Sequence, residues 1–112
     1  PSEYWAFEGF LENFLENPAT VQFNHRISAY ILFIFGVVTF VYSRKNPINF
    51  LKNGHVLLFI TLLAQIVLGV ITVIYGAPYQ IAIIHQFLAL LLWLLTIWIF
   101  FETAYPRRQA LN

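Results

Sequence analysis

HVLLFITLLAQIVLGVITVIY, residues 55–75, runs for twenty-one positions without an Asp, Glu, Lys or Arg. A bilayer's hydrocarbon core, roughly 30 Å thick, takes about 20 helical residues to cross, so this run is long enough to span one. Two further apolar stretches are of similar length: residues 20–42, TVQFNHRISAYILFIFGVVTFVY, which holds a single charge at Arg26, and residues 81–101, IAIIHQFLALLLWLLTIWIFF. The rest of the composition agrees. At 60% hydrophobic and 10% charged over 112 residues, the sequence has too little polar side chain to coat a water-facing globule. Ser43, Asn46, Pro47, Asn49, Asn53 and Gly54 punctuate the first gap and Gly76-Ala77-Pro78 the second, as loops require. The expected class is an all-α membrane protein of three transmembrane helices, with membrane lipid as its surroundings.

Charge placement gives an expected orientation, because inner-side loops carry the excess of Lys and Arg. Arg44, Lys45 and Lys52 fall in the first loop, and Arg107 and Arg108 follow the third helix, on the same side of a three-span path. Glu3, Glu8, Glu12 and Glu16 all precede the first span. The amino end is therefore expected outside and the carboxyl end inside. A net charge of +1 without a clustered basic face argues against nucleic acid as a partner.

The sequence contains neither Cys nor Met. Disulfides, thiolate metal sites, covalent haem attachment and Met ligation are excluded with them, and Pro1 is read as the start of a processed or trimmed chain. Within residues 1–19, Tyr4, Phe7, Leu11 and Phe14 recur at helical spacing while Glu8, Glu12 and Glu16 line another face, predicting a short amphipathic helix at the outer interface. Asn17-Pro18-Ala19-Thr20 reads as a helix start, since Pro suits a first turn. The expected organisation is an outer segment over 1–19, a three-helix domain over 20–105 and a basic inner tail over 106–112.

Histidine inside an apolar span is costly enough to suggest function. His25 and His85 each stand about five residues into their expected helices, roughly 7 to 8 Å along the axis. The first and third spans run in the same direction, so the two imidazoles share a depth and are expected to face each other across a flat ring, as bis-histidine haem ligation requires. Zinc fits less well, because it takes three or four protein ligands. His55, expected to open the second helix on the inner side, is read as an interfacial residue. Glu102 is read likewise, as an interfacial charge near Arg107 and Arg108.

The faces around these histidines carry small residues: His25, Ala29, Leu32 and Gly36 on the first helix, and Ala82, His85, Ala89, Trp93 and Thr96 on the third. On the second, Thr61, Gln65, Gly69, Thr72 and Gly76 recur at three- and four-residue steps. Small residues admit a flat ligand, and plain helix packing equally. Arg26, a fixed charge with bidentate geometry, suits a haem propionate, or snorkels to the headgroups.

The run Phe14 to Arg26, FLENPATVQFNHR, then Gln65-x-x-Leu68-Gly69-x-x-Thr72, then Ala82-x-x-His85-Gln86, resembles the second half of the haem A synthase family of mitochondria and related bacteria. The likeness spans nearly the whole chain. It implies two similar four-helix bundles in the complete enzyme and oxidation of the haem O methyl group to the formyl group of haem A, for cytochrome oxidase. It further implies that His25 and His85 are axial ligands of a haem b that relays electrons, with Gln22, Arg26, Ala29, Gln86 and Ala89 beside the cofactor. The family's other bundle carries Glu-x-x-His-Arg, with the glutamate tied to catalysis. Gln22 stands at the matching position as a neutral amide, so no catalytic residue is expected in this chain.

Each bundle of the family has four helices and this sequence offers three, most of one haem-binding bundle. The missing helices are expected from the N-terminal half or another chain. Two other classes fit the residues: a bis-histidine b-type membrane electron carrier and a non-catalytic structural subunit of a respiratory complex. The expected site is the mitochondrial inner membrane or the bacterial cytoplasmic membrane.

Overall fold

The computed structural model describes residues 2–105, and among them every regular element is helical. A 3-10 turn over Ser2–Trp5 leads into the short helix α1 (Phe10–Leu15), followed by three long helices: α2 (Pro18–Ser43), α3 (Asn49–Ile74) and α4 (Tyr79–Ala104). Each long helix has 26 residues, about 39 Å of rise, and is apolar enough to cross a membrane. The expected basic tail, with Arg107 and Arg108, lies outside the described residues. The chain divides into two compact units, residues 1–35 and 36–112, with the boundary inside α2.

In the first unit the short helix expected over the amino end is α1, separated from the 3-10 turn by residues 6–9, which lie outside any helix. Asn13 is the reason. Its Oδ1 accepts from the Phe7 backbone N–H at 2.9 Å, while its Nδ2 donates to the carbonyls of Gly9, at 2.8 Å, and of Phe7. A side chain that binds backbone this way offers the chain a turn in place of a helix. Asn17 extends the network: its Nδ2 donates to the Glu3 carbonyl at 2.6 Å, and its Oδ1 accepts from the Ala19 N–H at 3.0 Å, capping α2 just before Pro18. The helix start expected at Asn17-Pro18 is therefore the one observed. Both asparagines are buried, at 2% and 3% exposure. Thr20 Oγ1 donates to the Tyr4 carbonyl at 3.1 Å, Asn24 Nδ2 donates to the Phe14 carbonyl at 3.3 Å, and the Tyr4 and Phe23 rings lie 5.6 Å apart. The amino segment is thus clasped along one face of α2.

In the second unit α3 and α4 pack as an antiparallel pair. Phe50 meets Trp98 edge to face at 5.3 Å, Gly54 lies against Ile99, and Gly69 lies against His85 at the other end. The end of α2 joins α3 through Gly36, whose position sits on Leu62, and through Phe40, stacked on Phe59 at 4.8 Å. The loop between α2 and α3 is shorter than its punctuation suggests. Ile48 caps α3, its N–H bonded to Asn46 Oδ1 at 2.8 Å, so Asn49, Asn53 and Gly54 are helical. Gly54 is a packing residue, since an added β-carbon would stand 3.4 Å from Ile99. α3 ends in a left-handed pair, Gly76 and Ala77 (φ 71° and 57°), with the Ala77 N–H reaching back to the Thr72 carbonyl at 2.7 Å.

Among the described residues only Leu51, Leu62 and Ile99 form a buried apolar core, whereas dozens of large apolar side chains face outward. That inversion is what a lipid solvent permits.

Candidate functional site

His25 and His85 fall in different units. His25 is seven residues after Pro18 on α2 and His85 six after Tyr79 on α4. Along their own helices the two differ by one residue, roughly 1.5 Å of rise.

On α2 the side covered by the amino segment carries Thr20, Phe23 and Asn24, all of which contact it. At 100° per residue, Gln22, His25, Ala29 and Leu32 cluster on the opposite side, with Arg26 at its edge. Gln22, His25 and Arg26 are exposed, and Ala29 is partly covered. The clasp therefore leaves the histidine face of α2 open while covering its back.

His85 is half-buried on the α3-facing side of α4. A β-carbon on Gly69 would stand 3.0 Å from its Cε1, 3.6 Å from Nε2 and 3.7 Å from Nδ1. The imidazole occupies the space that the missing side chain leaves. Gln65, one turn earlier on the same face of α3, is half-buried, as is Thr72 one turn later. Ala82 and Ala89 flank His85 on α4 and are partly covered, whereas Gln86 and Trp93 are exposed. The expected stripe on α4 thus divides, with His85, Ala82 and Ala89 toward the seam and Gln86 and Trp93 turned outward.

His55 departs from its expected place. It lies six residues inside α3, half-buried, with Nδ1 bonded to the Leu51 carbonyl at 2.7 Å. Gly54 and Asn53 suggested a loop, but helix packing uses the glycine. Glu102 stands on the last turn of α4, 6% exposed, and the arginines expected near it lie outside the described residues. Asn13 escaped the sequence reading altogether, because an asparagine among glutamates looks like a solvated loop residue. The described residues contain no cluster of three or more His, Cys, Asp or Glu suited to a metal ion.

These features define a class: a multi-span helical membrane protein with one histidine seated in a glycine notch between two helices and another on an open helix face. The chain belongs to the COX15-CtaA family of cytochrome oxidase assembly proteins, whose profile matches residues 1–97. It is 37% identical over all its 112 residues to a heme A synthase of Jannaschia sp. (strain CCS1), covering 30% of that protein. It is 39% identical over 106 residues, 95% of this chain, to the heme A synthase of Ruegeria sp. (strain TM1040), covering 28% of it. Against the heme A synthase of Ruegeria pomeroyi it is 43% identical over 94 residues, 84% of this chain and 25% of the relative. The chain thus spans less than a third of these relatives and corresponds to their C-terminal part. No solved structure matches it.

Proposed function

We propose that this chain is the haem-holding C-terminal part of a haem A synthase, with His25 and His85 as the two axial ligands of a haem b. The observation that carries the proposal is the seat of His85: a glycine notch fixes an imidazole between two apolar helices, where an unassigned histidine is costly. Family membership supports it, as does the similar distance of His25 and His85 from the starts of the first and third spans.

When bound, haem b supplies a low-spin one-electron relay. The chain's own residues do the rest. Gly69 and α3 hold the His85 ring against rotation. The clasp of the amino segment, built on Asn13 and Asn17, stiffens the first turns of α2 and so positions His25. Arg26, at the edge of the same face, would pair with a propionate of the bound haem. Gln22, an amide without acid–base capacity, leaves oxidation of the haem O methyl group to the remainder of the enzyme, which also supplies the missing wall of the pocket. The amino end lies outside and the carboxyl end inside, in a mitochondrial inner or bacterial cytoplasmic membrane.

The test is a reduced-minus-oxidised absorption spectrum with haem extraction, on the wild-type protein and on His25→Ala and His85→Ala. Low-spin haem b in the wild type that is lost in both variants is the expected result. A wild-type protein that folds with its partner segment yet holds no haem would overturn the reading.

A further inference from the structure

The side-chain carbonyl oxygen of Gln65 is buried within the second unit and accepts no hydrogen bond among the described residues. A polar atom in that state costs roughly 1 to 3 kcal/mol unless a donor reaches it. The hydroxyls nearest in sequence and face are already committed. Thr61 donates to the Leu57 carbonyl at 2.8 Å and Thr72 to the Leu68 carbonyl at 2.7 Å. The Trp93 and Gln86 side chains on α4 are exposed.

The Nδ1 atom of His85, on the facing helix, is likewise buried and makes no hydrogen bond among the described residues. Gly69, one turn from Gln65 and on the same face, is in contact with the His85 ring. One turn is about 6 Å along the axis, a span that a glutamine with three rotatable bonds covers. A neutral imidazole that gives Nε2 to iron keeps its proton on Nδ1, and metal-bound histidines use that second N–H as a donor to a neighbouring carbonyl or carboxylate.

Resting on the haem reading above, we propose that Gln65 is a positioning residue for His85: its Oε1 accepts the hydrogen bond of Nδ1–H when Nε2 is the iron ligand. The bond fixes the ring's tautomer and rotation and strengthens the imidazole as an electron donor to the iron, favouring the oxidised state. His55 shows the contrasting solution within the same unit, since its Nδ1 is bonded to a carbonyl one turn back on its own helix.

The experiment is a spectroelectrochemical titration and a haem-release assay on the haem-loaded protein in lipid nanodiscs, comparing wild type with Gln65→Leu and Gln65→Glu. Gln65→Leu keeps the bulk and removes the acceptor; its midpoint potential is expected to rise and its haem to be released roughly tenfold faster or more. Gln65→Glu offers a stronger acceptor, and its potential is expected to fall below that of the wild type. A residue that merely fills space would not move the potential in opposite senses. Haem retained at unchanged potential in Gln65→Leu overturns the inference, and if that variant does not fold, absence of a downward shift in Gln65→Glu does so. A wild type without haem overturns the reading of His85 as a ligand instead, so the two failures are distinguishable.

Discussion

The imidazole of His85 and the α-carbon of Gly69 face each other so closely that a single methyl group on the glycine would stand 3.0 Å from the ring. A histidine on one membrane helix is thereby matched to a gap on its neighbour. The glycine sets how near the two helices approach, and the ring fills what it leaves. Gly69→Ala asks the ring to give by a few tenths of an ångström, whereas Gly69→Leu displaces it. Overpacking of this kind costs about 1 to 3 kcal/mol. Haem content, read from pyridine haemochrome spectra at equal protein concentration, is expected to fall modestly in the alanine variant and about tenfold or more in the leucine variant. Full haem loading in Gly69→Leu would show that the notch is not where the ligand is seated.

Gly36 makes the closer approach, but to a softer neighbour. An added β-carbon would stand 2.3 Å from Cδ2 of Leu62, and its next neighbours would be 3.9 Å away, so one terminal methyl absorbs the conflict. Gly36→Ala is expected to destabilise the packing of α2 on α3 by about 1 to 3 kcal/mol. The double variant Gly36→Ala with Leu62→Ala is expected to lose less than the two single changes added together, because the cavity and the extra carbon share one space. Thermal unfolding in detergent, followed by circular dichroism, measures the cycle; strict additivity would mean that the two residues do not meet.

Asn13 holds three backbone groups from a buried position. Replacing it with alanine leaves the Phe7 N–H and the Phe7 carbonyl without their partner, at about 1 to 3 kcal/mol for each group that stays buried, while the Gly9 carbonyl keeps the backbone N–H of residue 13. The amino segment is expected to open while the long helices persist. Limited proteolysis reports on this: cutting within residues 6–9 is expected to quicken in Asn13→Ala. Unchanged cutting would mean that the turn stands without the side chain.

Ala77 sits in the left-handed region that glycine adopts freely. An alanine there is strained by about 1 to 2 kcal/mol. Ala77→Gly is expected to stabilise the α3–α4 turn by up to about 1 kcal/mol, the gain trimmed by the greater freedom of the unfolded chain. Ala77→Val is expected to do the reverse, and a melting temperature that ranks valine above glycine would contradict the turn geometry.

The class of fold was legible because hydrophobic length is a property of composition, which three charge-poor runs carry without ambiguity. The ends of those runs were less so. Asn49, Asn53 and Gly54 carry loop chemistry, yet they form the first turns of α3, because tertiary contact with Ile99 rewards a small residue there. The short helix of the amino segment was legible in its aromatic spacing, but its start was not, because Asn13 binds backbone six residues earlier in the chain. His85 was legible as a polar residue in an apolar run, whereas its seat on Gly69 depends on the antiparallel register of α3 and α4, which no local pattern encodes. Gln65 was visible as one member of a stripe and of a family motif, but not as an acceptor, since a buried carbonyl in want of a donor is a statement about its neighbours.

The scarcity of buried side chains has a consequence for how this protein comes into being. Three spans with so few buried side chains among the described residues owe each other little of their individual formation; each satisfies its own backbone. Insertion can therefore precede assembly, one hairpin at a time, and what the interior later decides is alignment. The glycine notches act as stops on sliding rods, and the point at which the rods come to rest sets the height of the histidine between them.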